Sequence, residues 1–141
     1  MTLLEEVALY LEQLGLGTYK TTTGGTIYLL KLPQSPDECM AITFYPGPES
    51  DGGLQYDSPR CQIRCRGTKN DRTRGYALAK SVYDALHGQG SQHLPGGTWM
   101  VQCLGWQGGP APMGFDGNDR DEWVVNVEFE FATSAPRARA I

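Results

Sequence analysis

The chain has 141 residues, of which 40% are hydrophobic and 20% are charged, and its formal net charge is −4. This length and balance predict one packed domain rather than a disordered chain, and no apolar run approaches the ~20 residues of a membrane-spanning helix. The acidic net charge argues against a protein whose main task is to grip nucleic-acid phosphates.

The first predicted element is a helix over Thr2–Leu16. Thr2 has the side chain of an N-cap, Glu5 stands three residues further on, and apolar residues recur at helical spacing behind them. Gly15 and Gly17 are expected to end the helix.

Two strands are predicted next, over Thr26–Leu32 and Cys39–Tyr45. The link between them is short and contains proline, so the two strands are expected to form a hairpin. The stretch Pro46–Ser58 follows, with three glycines, two prolines and three acidic residues. A loop of this length in a compact domain is typically either mobile or functional.

The centre of the chain combines a strand with the best-formed helix of the sequence. In Arg60–Arg66, cysteine and isoleucine alternate with arginine and glutamine, which predicts a half-buried strand with its arginines on the polar face. Gly67 ends that strand, and Thr68–Asp71 resembles a capping box that opens a helix. The helix is expected to end at His87, with Gly88 as a left-handed cap.

The last two predicted strands are Thr98–Leu104 and Glu122–Phe131. The first should place Trp99 and Cys103 on one face, together with Val101, and the second alternates five large apolar residues with polar ones. The loop Gly105–Asp121 between them contains acidic positions that resemble part of a calcium loop. Its twelfth position is a valine rather than glutamate, so a turn carrying solvated acids is the favoured interpretation.

These elements follow the order α-β-β-β-α-β-β. This order predicts an α+β fold, a mainly antiparallel sheet of about five strands with both helices packed on one face. Residues 1–132 should form the single domain and residues 133–141 a flexible tail. Opposite charges on the polar faces of neighbouring strands are expected to set the register of the sheet or to meet an adjacent subunit.

No motif for catalysis, nucleotide binding or metal binding occurs in the sequence. Cys61 and Cys65 lie about 13 Å apart on a strand, too far for one metal ion to bridge. Together with Cys39 and Cys103 they are expected to be core thiols. We therefore predict no enzyme activity, no cofactor and no metal site.

Several segments, taken in order, resemble the tail terminator proteins of long-tailed phages, which are often described as minor capsid proteins. After the N-terminal helix, the resemblance is carried by Thr26-Ile-Tyr-Leu-Leu-Lys-Leu-Pro33-Gln-Ser-Pro36-Asp37, Ala41-Ile-Thr-Phe-Tyr-Pro-Gly47, Ser58-Pro-Arg-Cys-Gln-Ile-Arg-Cys-Arg-Gly67, Val82-Tyr-Asp-Ala-Leu-His-Gly88 and Pro112-Met-Gly-Phe-Asp-Gly-Asn-Asp-Arg120, which leads into Trp123-Val-Val-Asn-Val-Glu-Phe-Glu-Phe131. Together they cover nearly the whole chain up to about Ala132.

The resemblance implies a subunit of a ring, usually a hexamer, that caps the tail tube and stops its polymerisation. Such a ring contacts the tube protein and the head connector, and DNA passes through it without specific binding. It implies a place in the virion tail, at the head–tail joint, after assembly in the host cytoplasm. By analogy, the candidate interface residues are Asp51, Tyr56, Arg60, Arg64, Arg66, Phe115, Asp116, Arg120, Glu128 and Glu130.

Two other functions stay open from the sequence. One is a head-completion protein, a connector or stopper that binds the portal side of the joint. The other is a small nucleic-acid-binding or metal-binding module that uses the basic residues of Arg60–Arg74 or the cysteines.

Overall fold

The computed structural model describes residues 1–21, 24–45 and 56–132, with only the backbone given for Tyr56. In this part of the chain, no helix is long and apolar enough to cross a membrane. There are two helices and eight strands: α1 (Leu3–Gln13), β1 (Ile27–Leu29), β2 (Cys39–Tyr45), β3 (Tyr56–Asp57), β4 (Arg60–Arg66), α2 (Arg74–Leu86), β5 (Gly90–His93), β6 (Trp99–Gly105), β7 (Ala111–Phe115) and β8 (Asp121–Ala132).

All eight strands belong to one sheet, in the order β1-β2-β4-β8-β6-β5. The short strands β3 and β7 pair with the last and first residues of β8, and among the pairs of described strands only β1–β2 is parallel. The predicted α+β class with a mostly antiparallel sheet is confirmed, but the strand count differs. The additional strands β3, β5 and β7 are short segments whose own periodic signal is weak: β5 pairs with the following strand, β6, and β3 and β7 pair with β8.

Both helices pack on one face of the sheet and form one core with it. Val7 and Leu11 of α1 and Val82 of α2 are fully buried in the same apolar cluster as Ile63 and Val127 of the sheet. Burying each side chain of this size stabilises the fold by roughly 1.5–3 kcal/mol relative to leaving it exposed. The sheet therefore has one closed face beneath the helices and one that neither described helix covers, called here the outer face.

The start of α1 agrees with the prediction. The hydroxyl of Thr2 accepts a hydrogen bond from the backbone N–H of Glu5 at 3.2 Å, and the carboxylate of Glu5 accepts one from the backbone N–H of Thr2 at 3.0 Å. This reciprocal pair is a capping box. The helix ends at Gln13, before Gly15 takes up a φ of +80°.

The predicted hairpin between the first two strands is wrong, because these strands run parallel. β1 stops at Leu29, and Leu30 adopts a φ of +71°, so the chain turns away from the strand axis. The proline-containing segment then returns to the other end of β1, and the backbone N–H of Met40 bonds the carbonyl of Thr26 at 2.9 Å. β2 therefore starts at the same end as β1.

The strand predicted over Arg60–Arg66 is confirmed as β4, whereas the capping box predicted at Thr68–Asp71 is wrong. α2 begins six residues later than Thr68, at Arg74. The carboxylate of Asp71 instead accepts hydrogen bonds from the backbone N–H groups of Thr73 and Arg74, at 2.9 and 3.2 Å. At the other end of the helix, Gly88 has the predicted left-handed conformation, with a φ of +86°.

The two last predicted strands differ in how well their faces were assigned. In β6 a bulge between Met100 and Gln102 shifts the register, so Met100 is buried while Trp99 is exposed. The predicted shared face of Trp99, Val101 and Cys103 is therefore wrong. The alternation of β8 is confirmed: its inward-facing residues are buried except for Trp123, which is half-buried.

Candidate interaction surfaces

The outer face of the sheet carries polar side chains from its three central strands. Arg60 of β4 lies directly opposite Glu128 of β8, and the Arg60 Nε lies 3.4 Å from the Glu128 Oε1. Both side chains are about a quarter to a third exposed, at 30% and 24%. The charges predicted on these two strands therefore meet across the sheet, and this pair supports the register.

Trp106 extends this cluster beyond the ion pair. The guanidinium carbon of Arg60 lies 4.0 Å from the centroid of the Trp106 ring, and the ring is partly exposed. Trp106 also lines a cleft of about 250 Å³, together with Tyr45 and Asn126. In this cleft, the hydroxyl of Tyr45 donates a hydrogen bond to the side-chain oxygen of Asn126 at 3.4 Å. Sequence analysis missed Trp106; a lone tryptophan in a glycine-rich loop was the available signal, because exposed Trp, Tyr and Arg side chains dominate protein interfaces.

The other two charged candidates of the outer face have separate partners. The Arg64 Nε lies 3.6 Å from a carboxylate oxygen of Glu122, on the diagonal of the pairing, and it makes no hydrogen bond within the described residues. The carboxylate of Glu130 accepts a hydrogen bond from the side chain of Gln102 at 3.2 Å. Within the described residues, Arg64 therefore has a buried Nε without a hydrogen-bond acceptor, although 41% of its side chain is exposed.

Arg66 lies on the outer face but is not solvated, being only 3% exposed. Its guanidinium donates to the backbone carbonyls of Pro36 and Asp37, at 2.7 and 2.9 Å. The returning segment between β1 and β2 thus covers the end of β4. Arg66 holds that segment through carbonyl groups, and no carboxylate of the described chain forms an ion pair with it.

Arg120, the last residue before β8, is also buried, at 4% exposure. Its guanidinium donates to the carboxylate of Asp116 at 2.8 Å, to the carbonyl of Gln34 at 2.6 Å and to the carboxylate of Asp37 at 3.1 Å. Burial lowers the pKa of Arg120, but the bonds to the two carboxylates outweigh it and the net pKa is raised. This residue joins the turn before β8 to the segment between β1 and β2.

Asp116 is part of this arrangement rather than a solvated acid or a calcium ligand. In addition to the hydrogen bond from the Arg120 side chain, its carboxylate accepts hydrogen bonds from the backbone N–H groups of Asn118 and Arg120, at 2.9 and 3.0 Å. Burial acts to raise the pKa of Asp116, but these hydrogen bonds outweigh it and the net pKa lies below its ordinary value. The prediction of a turn is right, whereas the prediction of solvated acids is wrong for Asp116.

The two buried arginines line an open depression of about 720 Å³ at this end of the sheet, which we call the basic depression. Among its other lining groups, Lys31 is exposed and Asp116 supplies a carboxylate. The remaining lining residues are Leu32, Pro33, Gln34, Gly117 and Asn118.

β7 forms a sheet edge with exposed apolar side chains. Met113 is 48% exposed and Phe115 is 50% exposed, and the guanidinium carbon of Arg72 lies 5.3 Å from the centroid of the Phe115 ring. β7 pairs only with β8 among the described strands. The predicted loop Gly105–Asp121 is therefore partly a strand, and Phe115 belongs to a different surface from Arg60 and Glu128.

Two of the sequence candidates have no described side chain. Asp51 lies outside the described residues. Tyr56 is described only by its backbone, which pairs with Ala132 at the end of β8. Their roles stay predictions.

The thiols and imidazoles do not form a reactive group. All four cysteines are free and buried, and burial raises the pKa of each, that of Cys103 to about 12. His87 accepts the backbone N–H of Gly105 at its Nδ1 atom, at 2.9 Å, and the His93 Nδ1 lies 3.1 Å from the carbonyl of Gly97. Within the described residues, no three His, Cys, Asp or Glu side chains are grouped as metal ligands.

Comparison with known proteins assigns the chain to a family. No curated protein matches it. The sequence model of the family described as bacteriophage tail terminator protein matches residues 10–133, which include every described strand of the sheet, all of α2 and the last four residues of α1. The chain therefore belongs to the bacteriophage tail terminator family, whose members are structural proteins of the phage tail.

Proposed function

We propose that this protein forms an oligomeric ring that caps the tail tube, stops its polymerisation and presents a docking surface to the head connector. The observation that carries the proposal is the family match over residues 10–133. The sequence resemblance described above implies a hexamer, and we adopt that number for the ring.

The surfaces of the subunit support a function based on contact with other proteins. Trp106 and Arg60 expose a partly stacked pair on the outer face, while Met113 and Phe115 expose apolar side chains at a sheet edge. Aromatic residues, methionine and arginine are enriched in protein interfaces, and tryptophan, tyrosine and arginine are enriched among the residues that contribute most of the binding free energy. Two separate surfaces of this kind suit a subunit with a neighbour on each side, as a ring requires.

The chemistry of the subunit suits the same function. Buried thiols whose pKa is raised are protonated at neutral pH and are poor nucleophiles. The net charge of −4 suits a ring through which DNA passes without being held. In this proposal the subunit assembles in the host cytoplasm and stays in the virion at the head–tail joint.

Deleting the gene tests the function. Particles formed without this protein should contain tubes of irregular, extended length that are not joined to heads, and the wild-type gene supplied in trans should restore joined tails of uniform length. Electron microscopy of negatively stained lysates measures both quantities. Joined tails of normal length in the deletion would refute the proposed function.

A matched pair of tryptophan variants tests the role of the outer face. Trp106 and Trp99 are equally exposed, at 38% and 37%, but only Trp106 belongs to the Arg60 cluster. Complementation with Trp106→Ser should restore fewer joined tails than complementation with Trp99→Ser, while both proteins accumulate in the cell. Equal complementation would remove the outer-face cluster from the proposed interface.

A further inference from the structure

The residue that follows β1 has a strained backbone. Leu30 has a φ of +71°, and the backbone N–H of Lys31 donates a hydrogen bond to the carbonyl of Leu29 at 2.8 Å. A hydrogen bond between residues two apart, around a central residue of positive φ, is the mark of the rare and strained form of γ-turn. Positive φ is sterically costly for a residue with a Cβ atom, so a glycine at this position would relieve the strain.

The surrounding structure holds this turn in place. The backbone N–H of Leu30 donates to the carbonyl of Ile42 in β2 at 2.8 Å. Beyond the turn, the buried guanidinium groups of Arg66 and Arg120 hold the same segment through its backbone carbonyls. Strained residues persist only where the rest of the fold fixes them, and they cluster at binding sites and switch regions.

The strained residue exposes an apolar side chain. Leu30 is 65% exposed, more than any other large apolar side chain of the described chain except that of Met1. A turn of positive φ that serves only to redirect the chain typically uses glycine or asparagine. Strain and exposure together therefore indicate that the leucine side chain is presented for contact with another molecule.

Cationic groups surround this leucine. Leu30 lines an open depression of about 450 Å³ on the outer face, together with Lys31, Arg64 and Arg66 and the carboxylate of Glu122. Lys31 and Arg66 also line the basic depression, and no carboxylate of the described chain lies within ion-pair distance of either. An apolar side chain among cations fits a partner that has an apolar pocket bordered by carboxylates.

A second copy of the chain has the complementary charge. The net charge is −4, so a local surplus of positive charge leaves the rest of the chain more acidic than this total. Leu30 also follows β1, which lies at one edge of the described sheet, where a lateral neighbour can be contacted. β1 has only three residues, and short edge strands disfavour pairing with another chain. A contact through side chains is therefore favoured over a sheet that continues between subunits.

We infer that Leu30 anchors the contact between neighbouring subunits: its side chain inserts into an apolar pocket of the next copy, and Lys31 and Arg64 face carboxylates at the border of that pocket. This inference rests on the proposed ring and names one of the two surfaces that each subunit uses in it. The contact is head-to-tail, and such contacts close into a ring when the rotation between subunits allows it.

Leu30→Gly distinguishes an anchor from a structural residue. Glycine adopts a positive φ without strain, so the urea midpoint of the folded protein should stay the same or rise. Subunit association should nevertheless weaken at least about tenfold, because the contact loses a buried leucine side chain. Occupancy of tube ends at limiting protein concentration measures the association.

Two control variants accompany this substitution. Asn70→Gly relieves a φ of +63° at another exposed residue and should leave the occupancy unchanged. Leu30→Met keeps an apolar side chain and should keep most of the association. Normal occupancy with Leu30→Gly would overturn the inference. A loss of occupancy together with a lowered urea midpoint would overturn it as well, since that is the result of a structural role.

Photochemical cross-linking identifies the molecule that lies against this turn. A photoactivatable lysine analogue replaces Lys31, and assembled tails are illuminated and run on a denaturing gel. We expect a species of twice the mass of the chain whose peptides come from this protein alone, and Leu30→Gly in the same chain should largely abolish it. A link to another tail or head protein, or only within one chain, would overturn the assignment to a second copy.

The failures of the inference and of the proposed function are distinguishable. If this protein is absent from tails, both fail. If it is present at the tube end and the cross-link does not join two copies, the anchor is wrong and the proposed function stands.

A charge reversal checks the chemistry around the anchor. Lys31→Glu should weaken subunit association about three- to tenfold, since it replaces attraction to carboxylates by repulsion. Lys20→Glu makes the same change at an exposed lysine that lines neither depression, and it should leave tube-end occupancy unchanged. Equal weakening by the two substitutions would overturn the role given to Lys31.

Discussion

The carboxylate of Asp121 lies against the backbone of Gly75, in the first turn of α2, and accepts its N–H at 3.3 Å. The same carboxylate accepts the indole N–H of Trp123 at 3.0 Å and is only 3% exposed. The first residue of β8 therefore supplies an acceptor for the positive end of a helix 46 residues away in sequence.

Substitution of Gly75 by alanine tests how closely this helix end is packed. A Cβ atom at Gly75 would lie 2.6 Å from the Asp121 Oδ2, so Gly75→Ala forces the carboxylate or the helix to move. Overpacking costs about 1–3 kcal/mol, against the ~1 kcal/mol that alanine gains in helix propensity. Urea unfolding should therefore show a net loss of about 1 kcal/mol, and of about 2 kcal/mol at most. Gly117→Ala is the control, because nothing lies within 4 Å of its added Cβ, and an equal loss there would contradict the packing argument.

Arg120→Met removes the side chain that joins the turn before β8 to the segment between β1 and β2. It removes the hydrogen bonds from the buried guanidinium to the Asp116 carboxylate and to the Gln34 carbonyl, and hydrogen bonds of charged groups contribute about 1.5–3 kcal/mol. Arg74→Met breaks an exposed pair with Glu38 and should cost much less, because solvent screens such a pair. Thermal unfolding of both variants measures the difference. Equal effects would mean that the Arg120 bonds add nothing beyond an ordinary surface pair.

We predict that the Asp116 carboxylate makes the free energy of unfolding depend on pH under acidic conditions. Burial alone would raise its pKa, but backbone N–H groups and the Arg120 guanidinium lower it below its ordinary value of 3.8. The unfolded chain thus binds this proton more readily than the folded chain, so the stabilisation is present above about pH 4 and is lost as pH falls through the lower folded value. Asp116→Asn should therefore flatten the decrease in unfolding free energy below pH 4. A profile parallel to that of the unchanged protein would contradict this role.

We predict that the cysteine thiols of the folded protein are modified slowly by chemical reagents. All four cysteines are buried, and burial raises the pKa of each, so few thiolates are available at neutral pH. A colorimetric disulfide reagent at pH 8 should modify less than one thiol per chain in minutes, and all four after unfolding in guanidinium chloride. Rapid modification of the folded protein would show that a thiol is accessible.

Strands that carry their own periodic signal were predictable from the sequence. The alternation in Glu122–Phe131 and Arg60–Arg66 predicted β8 and β4, and it placed the cysteines of β4 in the core, where they are found. It also placed Arg60 and Glu128 on the polar faces of two strands that pair. Each of these inferences needs only the side-chain period of the strand.

Features that depend on distant partners could not be predicted in this way. β7 contains a proline and a glycine, and it is a strand because it pairs with β8. The buried guanidinium of Arg120 donates a hydrogen bond to the carbonyl of Gln34, which lies 86 residues earlier in the sequence. The parallel pairing of β1 and β2 likewise depends on the turn at Leu30, where the sequence contains no glycine to indicate a positive φ.

The most direct test of the account is to locate the protein in the mature particle. An affinity tag appended to the chain and detected with gold-labelled ligand by electron microscopy should place it in a single ring at the head-proximal end of the tail tube. Label along the length of the tube, at the distal tip or on the head surface would contradict the central claim that this subunit terminates the tail.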